Sequence, residues 1–295
     1  MKDAFSGCHP AVNFTYFAFV LLFGMLFLHP VFLAVSLCSA FAYSAYLNRG
    51  RAVKFNLWLT LPAVILFSLF NPLVNHRGIT VLFYFAGNPI TRESVLYGAA
   101  SAVMLSSVII WFSCYHVVMT SDKFIHLFGR AIPALSLIFT MVLRFVPRFK
   151  NQLQVIAGAQ RAIGRDMAAG SLRQRVRHGA LIFSILITWA LENAVETADS
   201  MRSRGYGMAG RTQFSHFRFD RRDALVLGIL LALAGVVLAG AALGENTVQF
   251  FPALRVKAVS PLSIAVYAAY ILLLNLPVVL DIQEDIRWKR LQSTI

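Results

Sequence analysis

The chain has 295 residues, 58% hydrophobic and only 14% charged, with a mean hydropathy of +0.67. A soluble domain of that length cannot bury so much apolar surface, so the surplus faces lipid. The formal net charge of +14 lies between apolar runs, where it reads as cytoplasmic loop charge rather than as a nucleic-acid surface.

A spanning helix needs about 20 mostly apolar residues. Runs at 11–28, 31–47, 57–73, 94–119, 224–243 and 261–280 predict six spans. No small-residue cleavage site follows the first run, which continues past His29-Pro30 into the second, so it is expected to stay as a helix. Two further stretches, 131–143 and 180–191, are too short to cross unaided and are expected as amphipathic or partly embedded helices. Cys8, Cys38 and Cys114 stand far apart, with neither disulfide nor metal-ligand spacing. They read as small apolar fillers, and no metal or cofactor is expected.

Lysine and arginine set the orientation. Arg49, Arg51 and Lys54 separate the second and third spans, and arginine is dense from Lys123 to Arg222. Both connections therefore belong in the cytoplasm, and six spans place both termini there. Arg287, Lys289 and Arg290 agree, while Arg255 and Lys257 in the last outer loop run against it. The expected protein is an all-α, polytopic, multi-pass cell-membrane protein in three parts: a four-helix region 1–119, a cytoplasmic or partly embedded module 120–223, and a two-helix region 224–295.

In the central module apolar residues recur at helical spacing and arginine is the dominant cation. A planar guanidinium makes bidentate contacts to carboxylates and tolerates partial burial, so the expected partner surface is acidic: another protein, or anionic headgroups. Glu192, Glu196 and Asp199 fall on one helical stripe, expected to pair with arginines of a neighbouring helix. No His or Cys accompanies them at ligand spacing. Gly205 and Gly207 read as a helix stop, with Arg202 and Arg204 in the last turn, where cations complement the helix dipole. Capping alone accounts for that pattern; to a partner it offers an arginine held at a rigid helix tip.

Several phrases then occur in a telling order: His29-Pro30; Asn71-Pro72-Leu73; Gly78-Ile79-Thr80-Val81-Leu82-Phe83; Thr91-x-Glu93-Ser94 leading to Leu96-Tyr97-Gly98; Thr120-Ser121-Asp122-Lys123; and Arg144-Phe145-Val146-Pro147. In that order they resemble the transmembrane T component of energy-coupling factor (ECF) transporters, the family of the cobalt importer membrane subunit. The resemblance covers nearly the whole chain and implies long cytoplasmic coupling helices ending in two short motifs that dock in grooves of two ABC-type ATPase subunits. The second motif matches Met201-Arg202-Ser203-Arg204-Gly205-Tyr206-Gly207, with Arg204 as the coupling arginine. The first resembles Ala159-Gln160-Arg161-Ala162-Ile163-Gly164, but Ile163 stands where the family usually has arginine. Arg161 and Arg165, two residues to either side, are the alternatives, although a helix points them elsewhere. Arg144, Pro147, Glu192 and Glu196 would support the coupling helices.

The resemblance further implies a separate small membrane protein that captures a vitamin or metal ion. The apolar stretches 131–143 and 180–191 are candidates for its docking surface. No Gly-x-x-x-x-Gly-Lys-Ser/Thr loop is present, so the chain is not expected to hydrolyse ATP. Gly235 and Ala239 allow close helix contact, expected within the subunit. The rival classes are an intramembrane enzyme, which would need ionisable groups inside spans beyond His116, and a self-contained secondary transporter, which would need internal repeats.

Overall fold

Two His-Pro pairs start the first two helices by the same device. His9 Nδ1 accepts from the Ala11 amide at 3.2 Å, and His29 Nδ1 from the Val31 amide at 3.3 Å. Proline follows at the first helical position, where its missing N–H costs nothing. Burial lowers the His29 pKa, which keeps the ring neutral and its Nδ1 an acceptor.

The computed structural model describes residues 4–48, 50–85, 87–129, 133–166, 168–206, 217–256 and 260–292. Their helices are α1 (Pro10–Leu26), α2 (Pro30–Asn48), α3 (Gly50–Val74), α4 (Arg92–Val118), α5 (Ser121–Gly129), α6 (Pro133–Ala162), α7 (Leu172–Ser203), α8 (Arg221–Ala242) and α9 (Pro261–Gln292). Antiparallel ribbons β1 (Val81–Phe85) with β2 (Asn88–Thr91), and β3 (Val248–Gln249) with β4 (Arg255–Val256), fill two connections. The chain divides into two compact units, residues 1–124 with 217–295, and residues 125–216.

The all-α, polytopic class holds. Among the described residues six helices are long and apolar enough to cross a membrane, namely α2, α3, α4, α7, α8 and α9. The number matches the sequence expectation but the membership differs. α1 is the short one at 17 residues, whereas the 180–191 run is the middle of a 32-residue helix. Polar residues bounded that run in the sequence, yet a helix continues through them because propensity there remains favourable.

In the first unit, α1 supplies an aromatic face. Tyr16, Phe17 and Phe23 are fully buried with Phe32, Tyr43, Trp111 and Tyr270 from α2, α4 and α9. The buried polar tips are satisfied: Tyr16 OH donates to the Leu274 carbonyl at 2.8 Å, and Trp111 Nε1 to Ser36 Oγ at 3.3 Å. By contrast α3 exposes Phe55, Trp58, Leu61, Ile65, Leu69 and Phe70, as a lipid-facing helix does.

The phrases around residues 71–98 gather into one knot where α3 turns into α4. Ser94 Oγ donates to Asn71 Oδ1 at 3.3 Å and to the Asn75 carbonyl; Thr91 Oγ1 donates to the Arg77 carbonyl at 3.0 Å; Thr80 Oγ1 donates to Glu93 Oε1 at 2.7 Å. Gly78, at φ +149°, leaves no room for a Cβ, which would lie 2.7 Å from both Glu93 Oε2 and Thr91 Oγ1. Gly98 brings α3 and α4 together: a Cβ there would press on the Phe67 carbonyl and lie 2.9 Å from Asn71 Cβ. Gly98→Ala is therefore expected to destabilise the bundle by about 1–3 kcal/mol, read as a lower thermal midpoint in detergent. An unchanged midpoint would refute the close packing.

Between α8 and α9 the close approach is made by Gly240, whose added Cβ would meet the Val266 side chain. This corrects the expectation for Gly235 and Ala239. Both are exposed, and nothing lies within 4 Å of a Cβ built at Gly235.

The segment before α1 is stitched into the first unit. The Phe5 amide donates to Asp281 Oδ1 at 2.9 Å, and the His9 amide to Asp223 Oδ1 at 3.0 Å. Lys123, only 6% exposed, donates to the Ser6 carbonyl at 2.6 Å and the Val118 carbonyl at 2.8 Å.

Candidate functional site

α6 and α7 lie in the second unit, and both stop in the same way. At the end of α6 the Gly164 amide donates to the Arg161 carbonyl at 3.0 Å and the Arg165 amide to the Gln160 carbonyl at 2.9 Å. At the end of α7 the Gly205 amide donates to the Arg202 carbonyl at 3.0 Å and the Tyr206 amide to the Met201 carbonyl at 3.0 Å. Each is a Schellman turn, with glycine in the left-handed conformation at φ +79° and +75°.

The shared turn aligns the two tips residue by residue. Ile163 occupies the C-cap of α6, as Arg204 does in α7, and both are exposed. Arg161 matches Arg202 one turn position earlier, Ala159 and Gln160 precede it, and Arg165 matches Tyr206. Ser203 Oγ turns back to the Ser200 carbonyl at 2.9 Å. At the first tip Arg161 Nε pairs with Asp166 at 3.2 Å, and Arg165 lines a groove of about 590 Å³ with Arg177 and His178. Neither side chain stands at the C-cap in place of Ile163.

Arg144, Pro147, Arg148, Asn193, Glu196, Arg204 and Tyr206 line one groove of about 830 Å³ between the middle of α6 and the end of α7. Arg204 thus lies abreast of Leu137 and Met141. Measured along α6 at 1.5 Å per residue, the two tips are roughly 35 Å apart.

The expected pairing of the acidic stripe with neighbouring arginines is not seen among the described residues, where Arg161–Asp166 and Arg222–Glu284 do form ion pairs. Instead Arg148 donates to Asn193 Oδ1 at 2.7 Å and lies over the Trp189 ring at 5.5 Å. A guanidinium stacks on an indole as readily as it meets a carboxylate, and Trp189 and Asn193 are the groups opposite. Sequence reasoning missed both. It also missed the capping box at the start of α7, where the Ser171 amide donates to Gln174 Oε1 at 3.0 Å, although Ser-x-x-Gln is a readable signal. No His, Cys, Asp or Glu cluster able to hold a metal occurs among the described residues.

Residues 8–215 match the cobalt transport protein family, CbiQ, and the chain belongs to that family. It is similar to proteins named energy-coupling factor transporter transmembrane protein EcfT. The one from Lacticaseibacillus paracasei is 29% identical over 199 residues, 64% of this chain and 74% of that protein. The Staphylococcus aureus protein is 25% identical over 233 residues, 72% of this chain and 87% of its own length. For Lactobacillus helveticus the match is 32% over 117 residues, spanning 39% of this chain and less than half, 42%, of that relative.

Proposed function

We propose that this chain is the transmembrane T component of an ECF importer, a non-catalytic scaffold linking ATP hydrolysis by two ABC-type ATPase subunits to a small membrane protein that captures a vitamin or metal ion. The pair of equivalent helix tips carries this reading. Two partners of one kind need two like contact points set well apart, and the Schellman turns supply them. The capture protein would rest on the exposed apolar stripe Phe183, Ile187, Leu191 and Val195 of α7, four residues apart throughout. ATP-driven closure of the ATPases would then displace the tips, and rigid helices would carry the displacement to that stripe.

In this reading α6 and α7 stay at the cytoplasmic face. α7 has Arg173, Arg175 and Arg177 at one end and Arg202 and Arg204 at the other, so crossing would strand one arginine cluster outside. Crossings by α1, α2, α3, α4, α8 and α9 then place both termini in the cytoplasm. A C-terminal reporter active only outside the cytoplasm is expected to stay silent, and a bright signal refutes the topology.

The tagged chain, co-expressed with its host's ATPases and capture protein, is expected to retain all of them in a pull-down. The two contacts should be unequal, because a charge-assisted contact loses more on truncation than an apolar one. Across a salt series, Arg204→Ala should weaken ATPase retention more than Ile163→Ala, and Ile163→Arg should be tolerated or tighten the complex. Equal losses, or a block by Ile163→Arg, would move the first contact to Arg161 or Arg165. Retention of no ATPase by the unaltered chain would overturn the function itself.

A further inference from the structure

No Asp, Glu, Lys, Arg or His stands between Arg77 and Arg92, and within that stretch all five residues of β1 are exposed, Phe83 at 56%, Tyr84 at 71% and Phe85 at 58%. Successive side chains of a strand point to opposite faces. Phe83 and Phe85 therefore bare one face of the ribbon, and Tyr84 the other. Edge strands that stand in water are shielded by charge, proline, a bulge or a covering element. β1 has only the irregularity between Val81 and Phe83; beyond it the register runs regularly through Phe83–Ile90, Tyr84–Pro89 and Phe85–Asn88.

The ribbon is firmly rooted. β2 is its inner strand, with Ile90 and Thr91 buried, and touches both α3 and α4. At the base the Arg92 amide donates to the Thr80 carbonyl at 2.9 Å, and the Ile79 amide to the Pro252 carbonyl at 3.2 Å. α3 and α4 are consecutive helices able to cross a membrane, so the ribbon stands where both leave the bilayer, at the same end of α3 as exposed Leu69, Phe70, Leu73 and Val74. A protein partner would cover one face and leave the other in water. A second copy paired along the edge would leave both faces bare. Lipid surrounds the strand on every side. The unpaired edge amides keep the ribbon out of the hydrocarbon core, where no water or headgroup could satisfy them. Aromatic faces and a polar edge are accommodated together at the boundary between headgroups and acyl chains.

We propose that the ribbon of β1 and β2 is a bilayer anchor, with Phe83, Tyr84 and Phe85 embedded in the lipid surface between α3 and α4. The anchor rests on those two helices crossing the bilayer and not on the coupling role. The test uses the full chain in phosphatidylcholine vesicles. Cys38, which is exposed, is removed as Cys38→Ala, while Cys8 and Cys114 are buried; a nitroxide is then placed singly at Phe83→Cys or Tyr84→Cys. Both labels are expected to meet dissolved oxygen more readily than a water-soluble nickel chelate, as does a label at Ile65→Cys on the exposed side of α3. Preference for the chelate at either ribbon position overturns the proposal, by leaving that face to water or to a protein partner. Line broadening that grows with the protein-to-lipid ratio overturns it in favour of two copies paired edge to edge. The unaltered chain gives a reading that needs no variant to fold. Phosphatidylcholine with a diazirine near the top of one acyl chain is expected to label the tryptic peptide 78–92 under ultraviolet light, and absence of label there overturns the anchor. No ATPase is present, so failure here leaves the importer reading standing, and failure of the pull-down leaves the anchor standing.

Discussion

Arg204→Ala is expected to leave the protein inserted, folded and monodisperse while uptake driven by ATP is lost. The Schellman turn that ends α7 is made by main-chain atoms of Met201, Arg202, Gly205 and Tyr206, so truncating the C-cap side chain does not remove what stops the helix. What goes is the guanidinium that the proposed function places in an acidic groove of an ATPase. Truncating one partner of a desolvated charge pair costs about 2–5 kcal/mol, largely because the other charge is left buried and unpaired. Arg204→Lys should recover only part of this, since an ammonium keeps the charge and loses the fork. Uptake and ATPase activity in reconstituted vesicles separate the outcomes. Wild-type uptake by Arg204→Ala, with the ATPases still bound, would sink the coupling role.

The second large effect is expected at Lys123, in the first unit. Its ammonium reaches the Ser6 carbonyl, the Val118 carbonyl and Ser6 Oγ at 2.6, 2.8 and 3.3 Å. With the Asn13 amide turned so that both its atoms are satisfied, Asn13 Oδ1 also accepts from Lys123 at 3.0 Å. Hydrogen bonds to a charged group are worth about 1.5–3 kcal/mol each, and buried acceptors left without a donor add to the loss. Lys123→Met keeps the length of the side chain and removes its donors. It should cost about 3 kcal/mol or more, seen as a lower unfolding midpoint in detergent and earlier protease cleavage before α1. A midpoint unchanged from wild type would mean that the clasp does not hold the amino-terminal segment.

Legibility differed between the two units for a physical reason. Glycine at a helix end is a local signal, so the stop at Gly205 could be read directly, and the similar wording around Ile163 and Gly164 placed the other tip. An i, i+4 stripe tells which residues share a face but not what stands opposite, which is why Glu192, Glu196 and Asp199 were expected to meet arginines, whereas Arg148 of the facing helix meets Trp189 and Asn193. Apolar run length gave five of the six helices long and apolar enough to cross a membrane but undercounted α7, because a helix does not end where its apolar residues do. The words around residues 71–98 were visible only as words. Their meaning, a hydrogen-bonded knot under Gly78 and Gly98, depends on contacts between α3 and α4 that no single helix pattern contains. Lys123 was likewise legible as part of a phrase, while its partners Ser6 and Asn13 lie more than a hundred residues earlier.

The two glycine turns separate the task of ending a helix from the identity of the residue that sits at the end. A Lys, Arg or His side chain near a C-terminus can be drawn to the last carbonyls; here the turns at Gly164 and Gly205 are closed by main-chain atoms, and the side chains at 163 and 204 take no part in them. In the proposed function, a single codon at either position can therefore change how strongly that tip would hold an ATPase without disturbing the helix behind it. The isoleucine and the arginine would then be two settings of one interchangeable fitting, and each end could drift toward its own partner independently of the other.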